Sequence, residues 1–300
     1  MDFELSAEQL ELQDRAFEAG RKFREDAAGW DLSDDVPYER VSEHIAAAGL
    51  CGLTIPVEFG GQGRDALDYF IVVAALFYGA QAWFVGEPPF CSTGPGPSML
   101  LLAENESLRT RFLPDLVSGR SGCAIALTEP YHGSDLSHLE TTAVLDGGEW
   151  VINGAKKFIT GAVLNELYAV FVRFDGIPGS KGVGAVIVEK GTPGFTMDKG
   201  PSWLGVRGLP HGDLFFDNVR IPEENLILGP GNFATLMSAF NLERLHNCAY
   251  SLGTAQAAYD ETVAYTQKRI AFGKPIIEFQ ATYHALADMW TQIEAHKYLS

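Results

Sequence analysis

The stretch LTEPYHGSD, residues 127–135, follows directly on the apolar run GCAIA and decides how the chain is interpreted. The apolar run is typical of a buried strand, and it ends in a hydroxyl, a carboxylate and a proline before Gly-Ser-Asp. Such residues are common in ordinary turns, because Ser and Asp hydrogen-bond the local backbone. They would equally suit a site for a flat polar ligand, so this stretch alone leaves both interpretations open.

A second strand end has a similar character. In NGAKKFITGA, residues 153–162, Phe158 stands close to the hydroxyl of Thr160. Two strand ends with hydroxyls and an aromatic suit an isoalloxazine ring, which takes hydrogen bonds at N5 and its carbonyl edge and stacks on apolar groups. Taken singly, Phe158 as a core aromatic and Ser134 and Asp135 as turn formers are equally reasonable interpretations.

The pattern of apolar and turn residues changes twice along the chain, from helical to β-rich and back, which predicts an α+β multidomain protein. Residues 1–120 are mostly helical, beginning at about residue 7 where Ser6 and Gln9 form a capping box. Short β-rich runs separated by glycines fill residues 121–225 and are typical of a small antiparallel barrel or sandwich, of which we expect a middle antiparallel β-barrel domain. Residues 226–300 predict a C-terminal helical bundle of two long helices, incomplete because their apolar stripes need further helices.

Composition excludes several classes of function. A net charge of −17 without Lys or Arg clusters argues against a nucleic acid partner. The four cysteines form no C-x-x-C and the histidines no H-E-x-x-H, so neither a disulfide framework nor a metal site is predicted. The longest apolar run, 69–80, is shorter than the roughly 20 residues that span a bilayer. Without a signal peptide pattern, we expect a cytoplasmic location.

Four motifs resemble those of the acyl-CoA dehydrogenase family. They are LTEPYHGSD, NGAKKFITGA, DNVRIPEENLILGPG at 217–231 and KRIAFGKPIIEFQ at 268–280, and they occur in the family's order over nearly the whole chain. The resemblance implies bound FAD, an acyl-CoA substrate and an electron-transfer flavoprotein as electron acceptor. It also implies a dimer or tetramer, homo- or hetero-oligomeric, with FAD at the subunit interface.

The same resemblance assigns roles to individual residues. Ser134 would contact both the FAD phosphate region and the acyl-CoA, and Arg269 would reach the pyrophosphate of the FAD in the neighbouring subunit. The complete set implied for FAD is Leu127, Thr128, Gly133, Ser134, Phe158, Ile159, Thr160, Arg269, Phe272 and Gln280. The set implied for the substrate is Ser134, Asn241, Glu243 and Arg244.

The reaction also needs a carboxylate base that removes the α-proton of the thioester. In many family members this Glu lies late in the C-terminal domain, beyond the 300 residues here. In others it lies on the long helix immediately before an Arg, and NLERLHNCA places Glu243 there. A solvated helix face is the competing interpretation, because Asn247, Tyr250 and Thr254 follow Glu243 at helical spacing.

Some residues depart from the family pattern. Tyr131 and His132 replace two small residues and would narrow the approach to the flavin, while Gly161 and Ala271 stand where Asn and Thr are common. GPGNFA at 229–234 resembles a dinucleotide-binding fingerprint. Because it contains a proline and opens no βαβ unit, it does not predict a Rossmann-type dinucleotide site.

The sequence therefore predicts α,β-dehydrogenation of an acyl-CoA to the trans-2-enoyl-CoA, in the β-oxidation of fatty acids or steroid side chains. A non-catalytic partner subunit of a heteromeric complex is the alternative prediction, and an oxidase that passes electrons to oxygen is a third.

Overall fold

The computed structural model describes residues 4–299, which form two compact units. The helical unit comprises the described parts of Met1–Gly29 and Arg244–Ser300 together with Ala66–Gly86, and the sheet unit comprises Trp30–Asp65 and Glu87–Glu243. The helices are α1 Ala7–Arg21, α2 Arg24–Ser33, α3 Tyr38–Ala47, α4 Ala66–Ala80, α5 Glu87–Thr93, α6 Pro95–Leu101, α7 Glu106–Val117, α8 Phe233–Ser238, α9 Asn241–Lys268 and α10 Gln280–Leu299.

The start of α1 is where the sequence predicts it. The Ser6 hydroxyl accepts a hydrogen bond from the Gln9 amide at 3.2 Å, and the Gln9 side chain accepts one from the Ser6 amide at 3.0 Å. This reciprocal capping box satisfies two backbone donors that a helix start otherwise leaves unbonded. The two long C-terminal helices are also present as α9 and α10.

Three helices were not predicted, α2, α5 and α8. The segment GEPPF looks like a break in the sequence, yet Glu87 to Thr93 are helical. Pro88 and Pro89 lie in the first turn of α5, where their missing N–H groups are not needed by the helix. A proline pair at a helix start therefore resembles a loop in sequence while forming a helix in structure.

The middle domain is one sheet of eight strands in the order β6-β7-β3-β2-β4-β5-β8, with β1 paired to β4. The prediction of an antiparallel β-barrel is wrong, because the sheet does not close. Within residues 4–299 the outer strands β6 and β8 do not pair, and β1 and β2 both run parallel to β4. The strands are β1 Cys123–Ala126, β2 Thr142–Asp146, β3 Glu149–Thr160, β4 Leu167–Phe174, β5 Val183–Glu189, β6 Phe195–Met197, β7 His211–Pro222 and β8 Leu226–Leu228, and a separate two-stranded hairpin holds β9 Ile270–Ala271 and β10 Lys274–Pro275.

Burial on both faces of β4 explains why the sheet stays open. Leu167 and Phe171 pack in a cluster with α6, α7 and α8, while Tyr168 and Val170 pack on the other face with β3 and β7. A strand covered on both faces is continuously apolar, as in LYAVFV, and is typical of sheets with parallel pairs. Helices that cover one face of the sheet remove the need for closure.

The helical unit depends on a close approach of α1 to α4. A methyl group on Gly20 would overlap the Leu76 carbonyl oxygen, and one on Gly79 would overlap the Phe17 carbonyl oxygen. The two helices therefore come together through backbone surfaces that leave no room for a side chain. None of the helices among residues 4–299 combines the length and apolarity needed to cross a bilayer.

We expect the Gly20→Ala substitution to lower the free energy of unfolding by about 1–3 kcal/mol, because the added methyl group overpacks the α1–α4 contact. Gly29→Ala is the matched control, since no atom lies within 4 Å of a methyl group there. Its exposed helical position predicts an unchanged or slightly higher stability. Denaturant unfolding measures both, and equal stabilities for the two variants would contradict the proposed close packing.

Candidate functional site

The segment that follows β1 lies directly beside β3. The Thr128 carbonyl oxygen accepts a hydrogen bond from the Lys157 amide at 2.8 Å. Two more backbone bonds, of 2.8 and 3.3 Å, close a turn between Glu129 and His132. Leu127 and Thr128 are half-buried there. The two stretches that suggest a ring-binding site in the sequence are therefore neighbours in the sheet unit.

A buried ion pair holds these two segments together. Lys156 Nζ lies 2.7 Å from Glu129 Oε1, and the side chains are 0% and 2% exposed. The Glu129 carboxylate also accepts from the amides of Glu140, at 2.5 Å, and Thr141, at 2.9 Å. Lys156 donates a further bond to the Leu127 carbonyl oxygen at 3.2 Å. The two bonds of Lys156 fix the loop relative to β3, and the two amide bonds fold the loop around the Glu129 carboxylate.

Both members of the pair are shifted in pKa by their surroundings. Burial lowers the pKa of Lys156 to about 8, an effect that the Glu129 carboxylate partly offsets. Burial alone would raise the pKa of Glu129, but the Lys156 charge and the bond from the Glu140 amide outweigh it and keep that pKa below its usual value. The two groups therefore remain charged together at neutral pH, and each would be costly without the other.

Strand β3 is irregular immediately after Lys156. Its register with β7 shifts between Lys156 and Ile159, so an extra residue is accommodated there. Asp213 on β7 holds the irregular segment, because its carboxylate accepts from the Phe158 amide at 3.3 Å and lies 3.1 Å from Lys157 Nζ. Ile159 turns back into the core and is 3% exposed. The irregularity directs Phe158 out of the sheet.

Phe158 consequently has an unusual conformation for an aromatic residue. Its φ angle is 60°, in the left-handed region that bulky residues avoid, and its side chain is 47% exposed. The ring meets Trp203 edge to face, with centroids 5.7 Å apart. Strain of this kind costs about 1–3 kcal/mol and is concentrated at functional sites. Phe158 is thus an exposed ring, not a core aromatic.

Thr160 is the last residue of β3, two residues after Phe158. It pairs with His211 on β7, and Gly161 follows with a φ angle of 69° and donates its amide to the Pro210 carbonyl oxygen at 2.8 Å. The Gly161 carbonyl oxygen accepts from Asn165 Nδ2 at 2.9 Å. Thr160 is therefore at a strand end whose exit is fixed by backbone and amide bonds.

The tip of the loop after β1 is exposed. Gly133 and Ser134 both face solvent, while Asp135 accepts bonds from the Ser137 amide at 3.1 Å and hydroxyl at 2.6 Å. The Asp135 carboxylate also lies 2.7 Å from His138 Nδ1. Asp135 therefore acts as a local turn former. Among the described residues, no group of three or more His, Cys, Asp or Glu side chains is placed to hold a metal ion.

The candidate base is in the first turn of α9. Asn241 and Arg244 are exposed and Glu243 is half-buried. One turn later, buried His246 places Nδ1 2.8 Å from the Tyr69 hydroxyl, and burial lowers its pKa to about 4. A neutral imidazole adds no positive charge near Glu243, whereas the N–H groups of the helix start favour a carboxylate.

The residues implied for a neighbouring subunit's FAD lie together in the helical unit. Arg269 and Phe272 belong to the hairpin between α9 and α10, and Gln280 begins α10. Phe272 is 97% exposed, has a φ angle of 51° and meets the Phe279 ring edge to face. A fully exposed phenyl ring in a left-handed conformation is typical of a contact surface.

The residues that hold this arrangement in place carry no sequence motif of their own. Glu129 and Lys156 are both inside the two diagnostic stretches, but their pairing joins positions 27 apart in the chain. Asp213 and Trp203 belong to no stretch that suggested a function. The signal for Glu129 was its position directly after a buried strand, where a carboxylate needs a partner.

Three family models match the chain. They are described as the acyl-CoA dehydrogenase N-terminal domain, matching residues 6–120, the middle domain, matching 124–219, and the C-terminal domain, matching 233–300. An acyl-CoA dehydrogenase of Bacillus subtilis is 36% identical over 89% of this chain and 70% of its own length. The CarC subunit of the caffeyl-CoA reductase-Etf complex of Acetobacterium woodii is 35% identical over the same shares.

Solved structures give the same result. The butyryl-CoA dehydrogenase of Megasphaera elsdenii has a TM-score of 0.91 and 30% identity, over 98% of this chain and 78% of that one. A glutaryl-CoA dehydrogenase of Mycobacterium smegmatis in complex with FADH2 has a TM-score of 0.90 and 25% identity, over 98% and 74%. The chain therefore belongs to the acyl-CoA dehydrogenase family, with its helical, β-sheet and helical domains in that order.

We expect Glu129→Gln and Lys156→Met each to lower the free energy of unfolding by about 3–5 kcal/mol, because each leaves a buried charge without its partner. The double variant should lose clearly less than the sum of the two. Denaturant unfolding of all four proteins measures the coupling.

The exposed pair Lys190–Glu166, 3.1 Å apart, is the control for this cycle. Lys190→Met should cost less than about 1 kcal/mol. Strictly additive losses at Glu129 and Lys156 would contradict the mutual dependence of the buried pair.

Proposed function

We propose that this protein is an FAD-dependent acyl-CoA dehydrogenase that converts an acyl-CoA thioester to the trans-2-enoyl-CoA and passes the electrons to an electron-transfer flavoprotein. The observation that carries the proposal is the joining of two strand ends by the buried Glu129–Lys156 pair beside an exposed, strained Phe158 ring. A rigid position beside an exposed aromatic face is what a flat redox ring requires.

The residues present fit FAD. Thr128 and Thr160 offer hydroxyls at the two strand ends, and Phe158 offers an apolar face between them in sequence. Ile159 is buried, so it would contribute through its backbone. At the loop tip, the exposed Gly133 and Ser134 would meet the phosphate region and the acyl-CoA, which needs close approach and a hydroxyl donor.

The proton transfer is assigned to Glu243. Its carboxylate would take the α-proton of the thioester, and bound FAD would accept the β-hydrogen as hydride. Arg244 and Asn241, on the same turn of α9, would hold the substrate through their polar side chains. His246, kept neutral by burial, would add no positive charge of its own one turn after Glu243.

The proposal also includes two protein partners, a second subunit and an electron acceptor. The exposure of Arg269 and Phe272 supports a contact with the FAD of a second subunit, in a dimer or tetramer. An electron-transfer flavoprotein is favoured because a relative is a subunit of an Etf complex. The predicted domain boundaries, the cytoplasmic location and a substrate from fatty acid or steroid side-chain β-oxidation stay predictions.

We expect Phe158→Gly to weaken FAD binding about tenfold or more, because the ring face is lost. Its free energy of unfolding without FAD should change by less than about 1 kcal/mol, since glycine adopts the positive φ angle without strain. Titration of the apoprotein with FAD and denaturant unfolding measure the two effects.

Phe215→Gly is the matched control, because Phe215 on β7 is 44% exposed but extended. It should lower stability and leave FAD affinity unchanged. Unaltered FAD binding in Phe158→Gly would contradict the assigned contact.

We expect Glu243→Gln to bind FAD normally but to lose flavin bleaching by acyl-CoA by a factor of about 100 or more, because an amide cannot accept the α-proton. Stopped-flow absorbance of the FAD-loaded protein measures this rate. Glu261→Gln, an exposed position on the same helix, should bleach at the rate of the unaltered protein. Equal rates in all three proteins would refute the base assignment, and a colourless chain that binds no FAD would refute the enzyme itself.

A further inference from the structure

The first turn of α5 carries a buried carboxyl group that the proposed reaction does not use. Glu87 is 7% exposed, and its polar partner among residues 4–299 is the Cys91 thiol, with Sγ 3.8 Å from Oε2. A thiol is a weak donor. Burial raises the pKa of Glu87 to about 7. This carboxyl group therefore lacks the strong partner that usually accompanies a buried acid.

A second buried polar group lies close to it. The Tyr38 hydroxyl, on α3, is buried and makes no hydrogen bond to any residue that the structure describes. Helix α3 packs against α5. Burial, and then the charge of Glu87, raise the pKa of Tyr38. Buried polar groups are nearly always hydrogen-bonded, and two with unused capacity in one place indicate a missing polar partner.

The Glu87 cluster, which is Glu87, Cys91 and Tyr38, is linked to the end of β3. Asn165 donates to the Gly161 carbonyl oxygen, next to Thr160, at 2.9 Å. The Asn165 side chain also fills the space at Gly122, where a methyl group would overlap its Oδ1 and lie 3.3 Å from the Cys91 Cβ. A short series of contacts within the sheet unit thus connects the candidate flavin position with Glu87.

We propose that Glu87 and Tyr38 bind the distal end of the acyl group, and that this end carries an uncharged oxygen function such as a hydroxyl. The inference rests on the proposed acyl-CoA dehydrogenase function and specifies its substrate class. A hydroxyl can donate to the Glu87 carboxyl group and accept from the Tyr38 hydroxyl, which satisfies both buried groups. A plain alkyl end would leave Tyr38 without a partner and Glu87 with the weak Cys91 thiol. A carboxylate end would place a second acid beside Glu87, and burial disfavours its charged form as it does that of Glu87.

The test uses two CoA thioethers of equal chain length, one with a terminal hydroxyl and one ending in methyl. Neither has the thioester carbonyl, so neither can be dehydrogenated, and calorimetric titration of the FAD-loaded protein measures binding alone. We expect the hydroxyl-bearing thioether to bind about tenfold or more tightly. Equal binding, or tighter binding of the methyl-ended thioether, would overturn the proposal.

Three variants assign the preference to the cluster. Glu87→Gln keeps both a donor and an acceptor and should keep most of the preference, while Glu87→Leu should abolish it. Tyr38→Phe should weaken the preference and leave the melting temperature of the ligand-free protein unchanged or higher, because it removes a buried hydroxyl without a partner. A preference that persists in Glu87→Leu would overturn the assignment.

Flavin bleaching by the corresponding acyl-CoA thioesters distinguishes this inference from the proposed function. Bleaching without any thioether preference would refute the Glu87 proposal and support the dehydrogenase function. A clear preference without bleaching would support the binding site and refute the dehydrogenase function.

Discussion

The geometry of the candidate site depends on one buried ion pair, Glu129 with Lys156. Two charged groups without solvent contact are stable only when they neutralise each other and their remaining hydrogen-bonding capacity is met. Here the amides of Glu140 and Thr141 and the Leu127 carbonyl oxygen meet it. Because the two bonds of Lys156 connect the loop after β1 with β3, the loop cannot move away without leaving an unpaired charge in the protein interior.

The strain at Phe158 depends on this fixed loop. The residue directly follows the two lysines of β3, and a left-handed phenylalanine persists only where its neighbours determine the backbone. Lys156 fixes the strand from inside, and Asp213 on β7 bonds the Phe158 amide from outside. The exposed ring is therefore a consequence of buried electrostatics, and ring and loop together form the surface assigned to the flavin.

The Glu87 cluster shows the opposite condition. The Glu129 carboxylate is bonded by the Lys156 ammonium group and two backbone amides, whereas the Glu87 carboxyl group is bonded by the Cys91 thiol. As a result, the pKa of Glu129 is lowered and the pKa of Glu87 is raised. Burial without compensation favours the neutral acid, which can both donate and accept a hydrogen bond. Within the sheet unit, one glutamate, Glu129, is thus a structural ion, and another, Glu87, is a candidate recognition group.

The sequence by itself determined the capping box of α1, the long helices α9 and α10, the change from helix to strand after residue 120 and the family motifs, because these signals are local.

Tertiary structure decided the rest. The open sheet with its parallel pairs follows from helices that cover β4, and a strand pattern cannot show what covers each face. The proline pair of α5 resembles a break in the sequence, because whether such a pair begins a helix depends on how the folded segment packs. The pairing of Glu129 with Lys156, the outward turn of Phe158 and the burial of Glu87 and Tyr38 all depend on distances between segments far apart in the chain, and those distances exist only once the chain has folded.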